Sequence, residues 1–260
     1  MSFLGKRIVV TGCASGIGAK TCELLKLAGA TVIGVDRNKT LNNVDEFHYA
    51  DFTEPASIDA LIAALPAGTD GLMNIAGLPP TAGNVAVLQV NLLALKRLTL
   101  GYIDKLADNA AIVNIASLAG LGWPDAIETI KAVEKVTDFD QVSRFCDQHQ
   151  IDDARSYFFS KEALITWTMQ NRWSWRDRGI RMNCISPGPV ETPILKDFLE
   201  TLGERAIEDM KVMDRAGTAE DIAPVAVFLA SAESSWIRGA NIPCDGGMYS
   251  HVQCAMHDLL

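Results

Sequence analysis

The feature that most constrains the fold of this 260-residue chain is a glycine-rich segment, T-G-C-A-S-G-I-G, at residues 11–18. An apolar run typical of a buried strand precedes it, and a stretch with helical spacing follows. Gly12 permits a tight turn, while Gly16 and Gly18 allow the backbone to approach a pyrophosphate and the helix to pack on the strand. The helix N-terminus offers free N–H donors to an anion. This order predicts a dinucleotide-binding loop rather than a purely structural glycine turn.

Apolar runs and helix-length segments alternate along most of the chain. The runs are not interrupted by alternating polar residues, which is typical of strands buried on both faces of a sheet. Strands are predicted at residues 7–11, 31–36, 47–50, 71–76, 110–116, 181–186 and 240–243, and helices at 16–28, 55–64, 85–107, 157–177 and 218–229. This alternation predicts an α/β fold with a single doubly wound parallel sheet of the Rossmann type.

Residues 118–156 depart from this alternation, because a strand and the following helix are normally joined by a few residues. Apolar side chains recur there at helical spacing, in two groups: Ile127, Ile130, Val133 and Val136, then Phe139, Val142 and Phe145. The segment therefore predicts a helical insertion. No repeat or linker divides the chain, so we expect residues 1–260 to form a single domain.

Composition excludes several classes of partner. The formal net charge of −9 repels phosphate backbones, so nucleic acid is not expected to bind. The most apolar long stretch, residues 85–100, is broken by Gln89, Asn91, Lys96 and Arg97 and is too polar to span a bilayer, so we expect no membrane partner. The six cysteines form no C-x-x-C pair and indicate a reducing, cytoplasmic location. The four histidines lack the spacing of metal ligands, so no metal is expected.

An acidic residue, Asp36, ends the second predicted strand. A carboxylate at this position accepts hydrogen bonds from ribose hydroxyls and repels a 2′-phosphate, which favours NAD over NADP. Arg37 follows it and leaves an alternative open, because its charge would suit a 2′-phosphate. We interpret it instead as stacking on adenine or pointing into solvent.

A tyrosine and a lysine, Tyr157 and Lys161, are four positions apart on a predicted helix. At this spacing the phenol and the ammonium share one helix face, about 6 Å apart along the axis. A nearby cation lowers the pKa of a phenol, which can then exchange a proton with an alcohol or carbonyl. The pair alone also fits a solvated helix face. Ser117 at the end of a strand, and Asn91 within an apolar helix, favour the catalytic interpretation.

These motifs together resemble the short-chain dehydrogenase/reductases, and the resemblance covers nearly the whole chain. T-G-x-x-x-G-x-G, N-x-A-G, the serine, Y-x-x-x-K, P-G and a late D-G-G occur in family order. The resemblance implies a single NAD-binding dehydrogenase domain whose catalytic tetrad is Asn91, Ser117, Tyr157 and Lys161. Tyr157 would be the acid/base, Ser117 would polarise the substrate oxygen, Lys161 would bind the nicotinamide ribose and lower the Tyr157 pKa, and Asn91 would hold a relay water.

The resemblance also implies a set of cofactor-binding residues. Asp51 matches a position that contacts adenine, and Val190 and Thr192 match positions that contact the nicotinamide carboxamide. The full set is Gly12, Ser15, Gly16, Ile17, Gly18, Asp36, Arg37, Asp51, Phe52, Asn74, Ala76, Gly77, Tyr157, Lys161, Pro187, Gly188, Val190 and Thr192. Members of the family are homodimers or homotetramers that often pair through the long helix and the Tyr/Lys helix, so we expect a homo-oligomer.

Within the family, two groups resemble this chain in more detail. The insertion is similar to that of bacterial 3α-hydroxysteroid dehydrogenases, and phrases such as T-V-I-G-V-D-R-N and N-I-P-C-D-G-G are similar to coniferyl-alcohol dehydrogenases. The expected substrate walls are apolar: Leu118, Trp123, Pro189, Ile194, Leu195, Phe198 and Met213. Such a pocket beside one Ser/Tyr pair suits an aromatic alcohol first and a 3α-hydroxysteroid or other carbonyl pair second.

Three further hypotheses complete the sequence analysis. Residues 191–211 are interpreted as a helical lid that orders when ligands bind. A non-catalytic NAD-binding regulator is a remote alternative, but it would predict a degraded tetrad. A Rossmann-like transferase is more remote still, because its glycine loop would not accompany Y-x-x-x-K and P-G.

Overall fold

Seven parallel strands form one sheet in the computed structural model, which describes residues 1–192, 195 and 211–259. The strands are β1 (Arg7–Thr11), β2 (Thr31–Asp36), β3 (Glu46–Tyr49), β4 (Thr69–Asn74), β5 (Leu106–Ile115), β6 (Arg181–Pro187) and β7 (Asn241–Cys244). Their order is β3-β2-β1-β4-β5-β6-β7, and all neighbours pair in parallel. The chain order reverses between β1 and β4, which is where ligands bind in such sheets. The predicted fold class is confirmed.

Helices cover both faces of the sheet. They are α1 (Gly16–Leu27), α2 (Pro55–Ala64), α3 (Asn84–Leu88), α4 (Leu95–Tyr102), α5 (Ile127–Val133), α6 (Gln141–His149), α7 (Asp153–Gln170), α8 (Ala219–Ala230) and α9 (Met248–Met256). Successive strand residues point to opposite faces, so Val9 joins the core beneath α2–α7 while Ile8 and Val10 join the core beneath α1 and α8. Both faces of the sheet are therefore buried.

The long helix predicted over residues 85–107 is interrupted. It consists of α3, a π-helical turn (Gln89–Ala94) and α4, and β5 already begins at Leu106. The turn contains Asn91, whose side chain bonds the backbone of Leu78 instead of packing as an apolar residue would. Apolar periodicity does not distinguish a π-helical turn from α-helix, and such turns are frequent at functional sites.

The helix that carries Tyr157 begins earlier and ends earlier than predicted. Asp152 caps α7, because its carboxylate accepts a hydrogen bond from the N–H of Arg155 at 2.7 Å. The helix ends at Gln170, and short 3₁₀ turns follow at Asn171–Trp173 and Arg176–Arg178. Twelve of the 18 residues of α7 are buried, so the helix is a core element of the fold.

The helical insertion is confirmed, and it packs on the outer side of α7. Its helices α5 and α6 contribute Ile130, Val133, Val142 and Phe145 to the same apolar core as α7. The rings of Phe145 and Phe159 lie 5.8 Å apart. The insertion is therefore a layer that covers the tyrosine helix.

A row of polar side chains crosses the sheet beneath its carboxyl edge. Asn74, Asn114, Cys184 and Asn241 are partners in register on β4, β5, β6 and β7. The Asn74 amide donates to Asn114 at 2.9 Å, and the Asn114 amide donates to the Thr168 hydroxyl of α7 at 3.1 Å. The row therefore attaches α7 to the sheet.

Removing the Phe159 side chain should destabilise the fold strongly, because this ring is fully buried between α7 and the insertion. Phe159→Ala should lower the free energy of unfolding by about 3–5 kcal/mol. Urea unfolding followed by far-UV circular dichroism measures this loss. Phe158→Ala is the matched control, since Phe158 is only half-buried and faces a cavity. Equal losses in the two variants would contradict the packing described here.

Candidate active site

A cavity of about 920 Å³ lies along the carboxyl ends of the strands. Its walls are the loops that follow β1 to β6, together with part of α7 and α9. It extends from Asp36 and Arg37 at one end, past Tyr157, to Val252. The cavity occupies the switch point of the sheet, where the sequence predicts the dinucleotide.

The glycine loop forms a cradle at the start of α1. Gly12 and Gly16 have φ angles of +72° and +51°, and a Cβ on Gly12 would lie 2.9 Å from the Ala76 backbone. Ser15 precedes α1 in extended conformation, and its side chain caps none of the first N–H groups. Ser15, Gly16 and Ile17 all line the cavity, so these amides are available to an anion. The loop fits the pyrophosphate of a dinucleotide.

The side chains expected around adenosine lie at the far end of the cavity. The Asp36 carboxylate accepts hydrogen bonds from the N–H groups of Ala14 at 3.1 Å and Asn38 at 2.8 Å. A carboxylate has about four acceptor positions, so capacity remains for ribose hydroxyls. Asp51 accepts from the N–H and hydroxyl of Thr53, which lowers its pKa. Arg37 is exposed, and Phe52 lines the same end.

Tyr157, Ser117 and Lys161 come together in the middle of the cavity. The side chains of Ser117 and Tyr157 share a hydrogen bond. The Lys161 Nζ donates to the Ile115 carbonyl oxygen at 2.8 Å and lies 5.4 Å from the centre of the Tyr157 ring. Ile115 ends β5 and Ser117 follows it, whereas Tyr157 and Lys161 lie on α7. The group therefore forms only when α7 packs on β5.

Burial dominates the ionisation of both groups on α7. It raises the pKa of Tyr157 to about 12, while the hydrogen bond with Ser117 acts in the opposite direction. It lowers the pKa of Lys161 to about 8. That Lys161 lowers the Tyr157 pKa stays a prediction, since burial and the hydrogen bond with Ser117 are the two influences on this pKa.

Two asparagines of the predicted site lie behind the cavity wall. Asn91 is buried, and its amide accepts from the N–H of Leu78 at 2.7 Å and donates to the Leu78 carbonyl at 3.0 Å. Its role in a proton relay stays a prediction. Asn74 does not line the cavity; it turns inward and donates to Thr99 and Asn114. A contact between Asn74 and the cofactor stays a prediction, and Ala76 and Gly77 beyond it line the cavity.

The segment after β6 forms the wall opposite the glycine loop. Pro187, Gly188, Val190 and Thr192 line the cavity there. Val190 pairs with Gly217 in an isolated parallel bridge, which holds this segment against the start of α8. A Cβ on Gly16 would lie 3.2 Å from the Thr192 methyl group, so the loop and this segment approach each other closely.

The predicted substrate walls divide into three groups. Leu118, Pro189 and Leu195 line the cavity. Trp123 and Met213 do not: Trp123 packs on the core beneath the insertion, and Met213 is buried against Gly246. Ile194 and Phe198, like most of the proposed lid at residues 191–211, lie outside the described residues.

Sequence reasoning missed the wall formed by the end of the chain. Met248, Tyr249 and Val252 of α9 line the cavity, as do Leu121 and Phe158. A signal was present, because Met248, Val252 and Met256 recur at a spacing of four residues after D-G-G. Over the described residues, no side-chain group suits a metal ion, and no helix has the length and apolarity to cross a bilayer.

A Rossmann-type sheet with a buried Tyr and Lys and a half-buried Ser beside a dinucleotide cradle defines a class of oxidoreductase. Residues 6–127 match the short chain dehydrogenase family, and residues 141–249 match the family described as Enoyl-(Acyl carrier protein) reductase. The chain belongs to the short-chain dehydrogenase/reductase family and is an oxidoreductase of that type.

Three relatives cover almost the whole chain. Coniferyl-alcohol dehydrogenase from Pseudomonas sp. (strain HR199 / DSM 7063) is 43% identical over 96% of this chain and 99% of its own. The 3-alpha-hydroxysteroid dehydrogenase/carbonyl reductase of Comamonas testosteroni is 30% identical over 93% of this chain and 95% of its own. The crystal structure of 3-alpha-hydroxysteroid dehydrogenase from Pseudomonas sp. B-0831 complexed with NADH has a TM-score of 0.84 and 29% identity, covering 96% of this chain and 99% of that chain.

The buried lysine should make stability depend on pH. Because burial lowers the pKa of Lys161 to about 8 from 10.5, the unfolded chain holds this proton more tightly than the folded one between those values. Stability from this group therefore rises with pH through that window, by at most about 1.4 kcal/mol per pH unit. Lys161→Met should lack this contribution, so the wild-type minus variant free energy of unfolding should increase from pH 7 to 10. A constant difference in urea titrations would contradict the burial of a titrating ammonium.

Proposed function

We propose that the chain interconverts an aromatic, coniferyl-type alcohol and its aldehyde by NAD-dependent hydride transfer. One observation carries the proposal: the Ser117, Tyr157 and Lys161 group lies in an apolar cavity of a chain that is 43% identical, end to end, to a coniferyl-alcohol dehydrogenase. Apolar walls with few polar groups suit a planar aromatic substrate.

The roles of the residues follow from their positions. Tyr157 exchanges the proton with the substrate oxygen, and Ser117, which hydrogen-bonds Tyr157, polarises the same oxygen. Lys161 lies behind the tyrosine ring and is available to the nicotinamide ribose. NAD supplies the hydride acceptor when it is bound. Tyr157 and Lys161, together with the glycine loop, Asp36 and the segment from Pro187 to Thr192, hold the coenzyme.

The preference for NAD over NADP is proposed from Asp36. Its carboxylate lines the adenosine end of the cavity and is held in place by two backbone N–H groups. A phosphate on the ribose would meet this negative charge at short range, and exposed Arg37 is hydrated, so it offsets the repulsion only in part.

A 3α-hydroxysteroid is the second candidate substrate. The observation that favours it is the structural similarity, at a TM-score of 0.84, to a 3-alpha-hydroxysteroid dehydrogenase complexed with NADH. The aromatic alcohol ranks first because the 43% identity to the coniferyl-alcohol dehydrogenase exceeds the 29% identity to this hydroxysteroid dehydrogenase.

Initial rates should distinguish the two candidate substrates, and rates with NAD and NADP should distinguish the two coenzymes. We expect coniferyl alcohol and NAD to give the highest kcat/KM in a panel of aromatic alcohols and hydroxysteroids, measured by NADH absorbance. Higher kcat/KM with a hydroxysteroid would move the assignment to the second candidate, and turnover with neither class would reject both.

Tyr157→Phe tests the acid/base role in the same assay. Removing the hydroxyl should lower kcat by at least about 100-fold, because the proton of the alcohol loses its acceptor during oxidation. NADH binding, followed by protein fluorescence quenching, should stay within twofold of wild type. Tyr49→Phe is the matched control, since Tyr49 is exposed on β3 away from the cavity and its loss should leave kcat unchanged. Substantial turnover by Tyr157→Phe would refute the role.

We further propose that residues 1–260 act as one NAD-binding domain in the cytoplasm. One sheet joins strands from both ends of the chain, and the six cysteines are free thiols. Reduced cysteines agree with a reducing compartment.

A homo-oligomer is proposed whose interface avoids α7. The insertion occupies the outer side of α3 and α7: the Gln89 amide donates to the Phe139 carbonyl at 3.3 Å, and the Gln170 amide donates to Glu134 at 2.6 Å. The pairing surface that the family often uses is thus covered by the chain itself. Multi-angle light scattering should give a mass of two or four chains. A mass equal to one chain, 28.1 kDa, would overturn the proposal.

A further inference from the structure

The last described helix, α9, forms one wall of the cavity that holds Tyr157. Met248 is buried, Tyr249 is half-buried, and Val252 is 40% exposed at the cavity mouth. Met248 and Val252 lie one turn apart on the same face of the helix, at positions i and i+4, and Tyr249 lies beside that face at i+1. The wall therefore runs from the interior of the cavity to solvent.

Hydrogen bonds hold the start of this helix in place. The Asp245 carboxylate accepts from the N–H groups of Gly247 at 2.9 Å and Tyr249 at 2.7 Å. The Gly188 N–H donates to the Cys244 carbonyl at 3.2 Å, which connects the end of β7 to the wall after β6. The backbone of Tyr249 is thus fixed relative to Gly188, a residue of the proposed coenzyme site.

The surroundings of Tyr249 are otherwise apolar. The segments after β5 and β6, together with α7 and α9, contribute mainly apolar side chains to the cavity, among them Leu118, Leu121, Phe158, Pro189, Met248 and Val252. The described residues of these segments place few hydrogen-bonding side chains at the cavity: Ser117, Tyr157, Lys161, Thr192 and Tyr249. The first three form the reactive group and Thr192 belongs to the proposed coenzyme site, which leaves the Tyr249 hydroxyl. No described residue hydrogen-bonds that hydroxyl, so it is available to a ligand.

We propose that Tyr249 is a specificity-determining residue whose hydroxyl hydrogen-bonds a polar substituent on the aromatic ring of the substrate. The inference rests on the proposed function and deepens it: the preferred substrates are ring-hydroxylated aromatic alcohols rather than unsubstituted ones. With its alcohol at Ser117 and Tyr157, such a substrate directs its ring toward the apolar wall. There a ring hydroxyl loses water and requires a partner, which Tyr249 supplies.

The test compares two alcohols that differ at the ring. Coniferyl alcohol carries a ring hydroxyl and a methoxy group, and cinnamyl alcohol carries neither. In Tyr249→Phe, the ratio of kcat/KM for coniferyl over cinnamyl alcohol should fall about 3- to 10-fold, the range for one neutral hydrogen bond. The loss should appear mainly in KM, because the ring is remote from the hydride that is transferred.

A matched control separates hydrogen bonding from packing. Val252→Ala removes apolar contact from the same wall without removing a polar group, so it should change both kcat/KM values in parallel and leave their ratio within twofold. If Tyr249→Phe also leaves the ratio unchanged while the wild-type protein oxidises coniferyl alcohol, the inference is overturned and the proposed function stands. If the wild-type protein oxidises neither alcohol, the proposed function fails, and the inference fails with it.

Discussion

The attachment of α7 to β5 is the constraint on which the rest of the site depends. Two buried hydrogen bonds make it: the Lys161 ammonium donates to the Ile115 carbonyl, and the Asn114 amide donates to the Thr168 hydroxyl. Lys161 and Thr168 are two helical turns apart, so the bonds fix both the position and the rotation of the helix. Tyr157 is thereby placed beside Ser117, which follows the same strand. These two buried hydrogen bonds between α7 and β5 thus determine the geometry of the group formed by Ser117, Tyr157 and Lys161.

Burial in the core also shifts the pKa values of the two titratable residues in the reactive group, Tyr157 and Lys161. The lysine is surrounded by a carbonyl, an aromatic ring and apolar side chains, and burial lowers its pKa, while it raises that of the tyrosine. Both shifts disfavour charge, so the protein alone holds the pair less ionised than water would. A cationic nicotinamide ring beside the phenol would act in the opposite direction. A coenzyme held by the cradle of Gly12–Gly18 and Asp36 would therefore favour the ionised form of Tyr157.

Much of this arrangement could be predicted from the sequence, and the exceptions have physical causes. Strands β1 and β2 and helix α2 have the predicted bounds, since apolar runs between glycine or proline residues are strong local signals. The directions of individual side chains were less predictable. Trp123 and Asn74 belong to segments that line the cavity, but their side chains pack or hydrogen-bond in the core, and sequence spacing does not indicate this direction. The wall at α9 was missed because the spacing of Met248, Val252 and Met256 predicts a helix but does not indicate which element it packs against. Only the sheet order brings β7, and the helix after it, beside β6.

The position of the insertion has a consequence for how the catalytic helix is stabilised. Helices α5 and α6 bury the outer side of α7 with residues of the same chain, including Phe145 against Phe159. The free energy that holds Tyr157 in place is therefore intramolecular and does not change with protein concentration. In a protein whose catalytic helix is buried by a neighbouring subunit, dilution would loosen the site. Here, the insertion of the same chain buries the catalytic helix, so holding Tyr157 in place does not require a subunit contact.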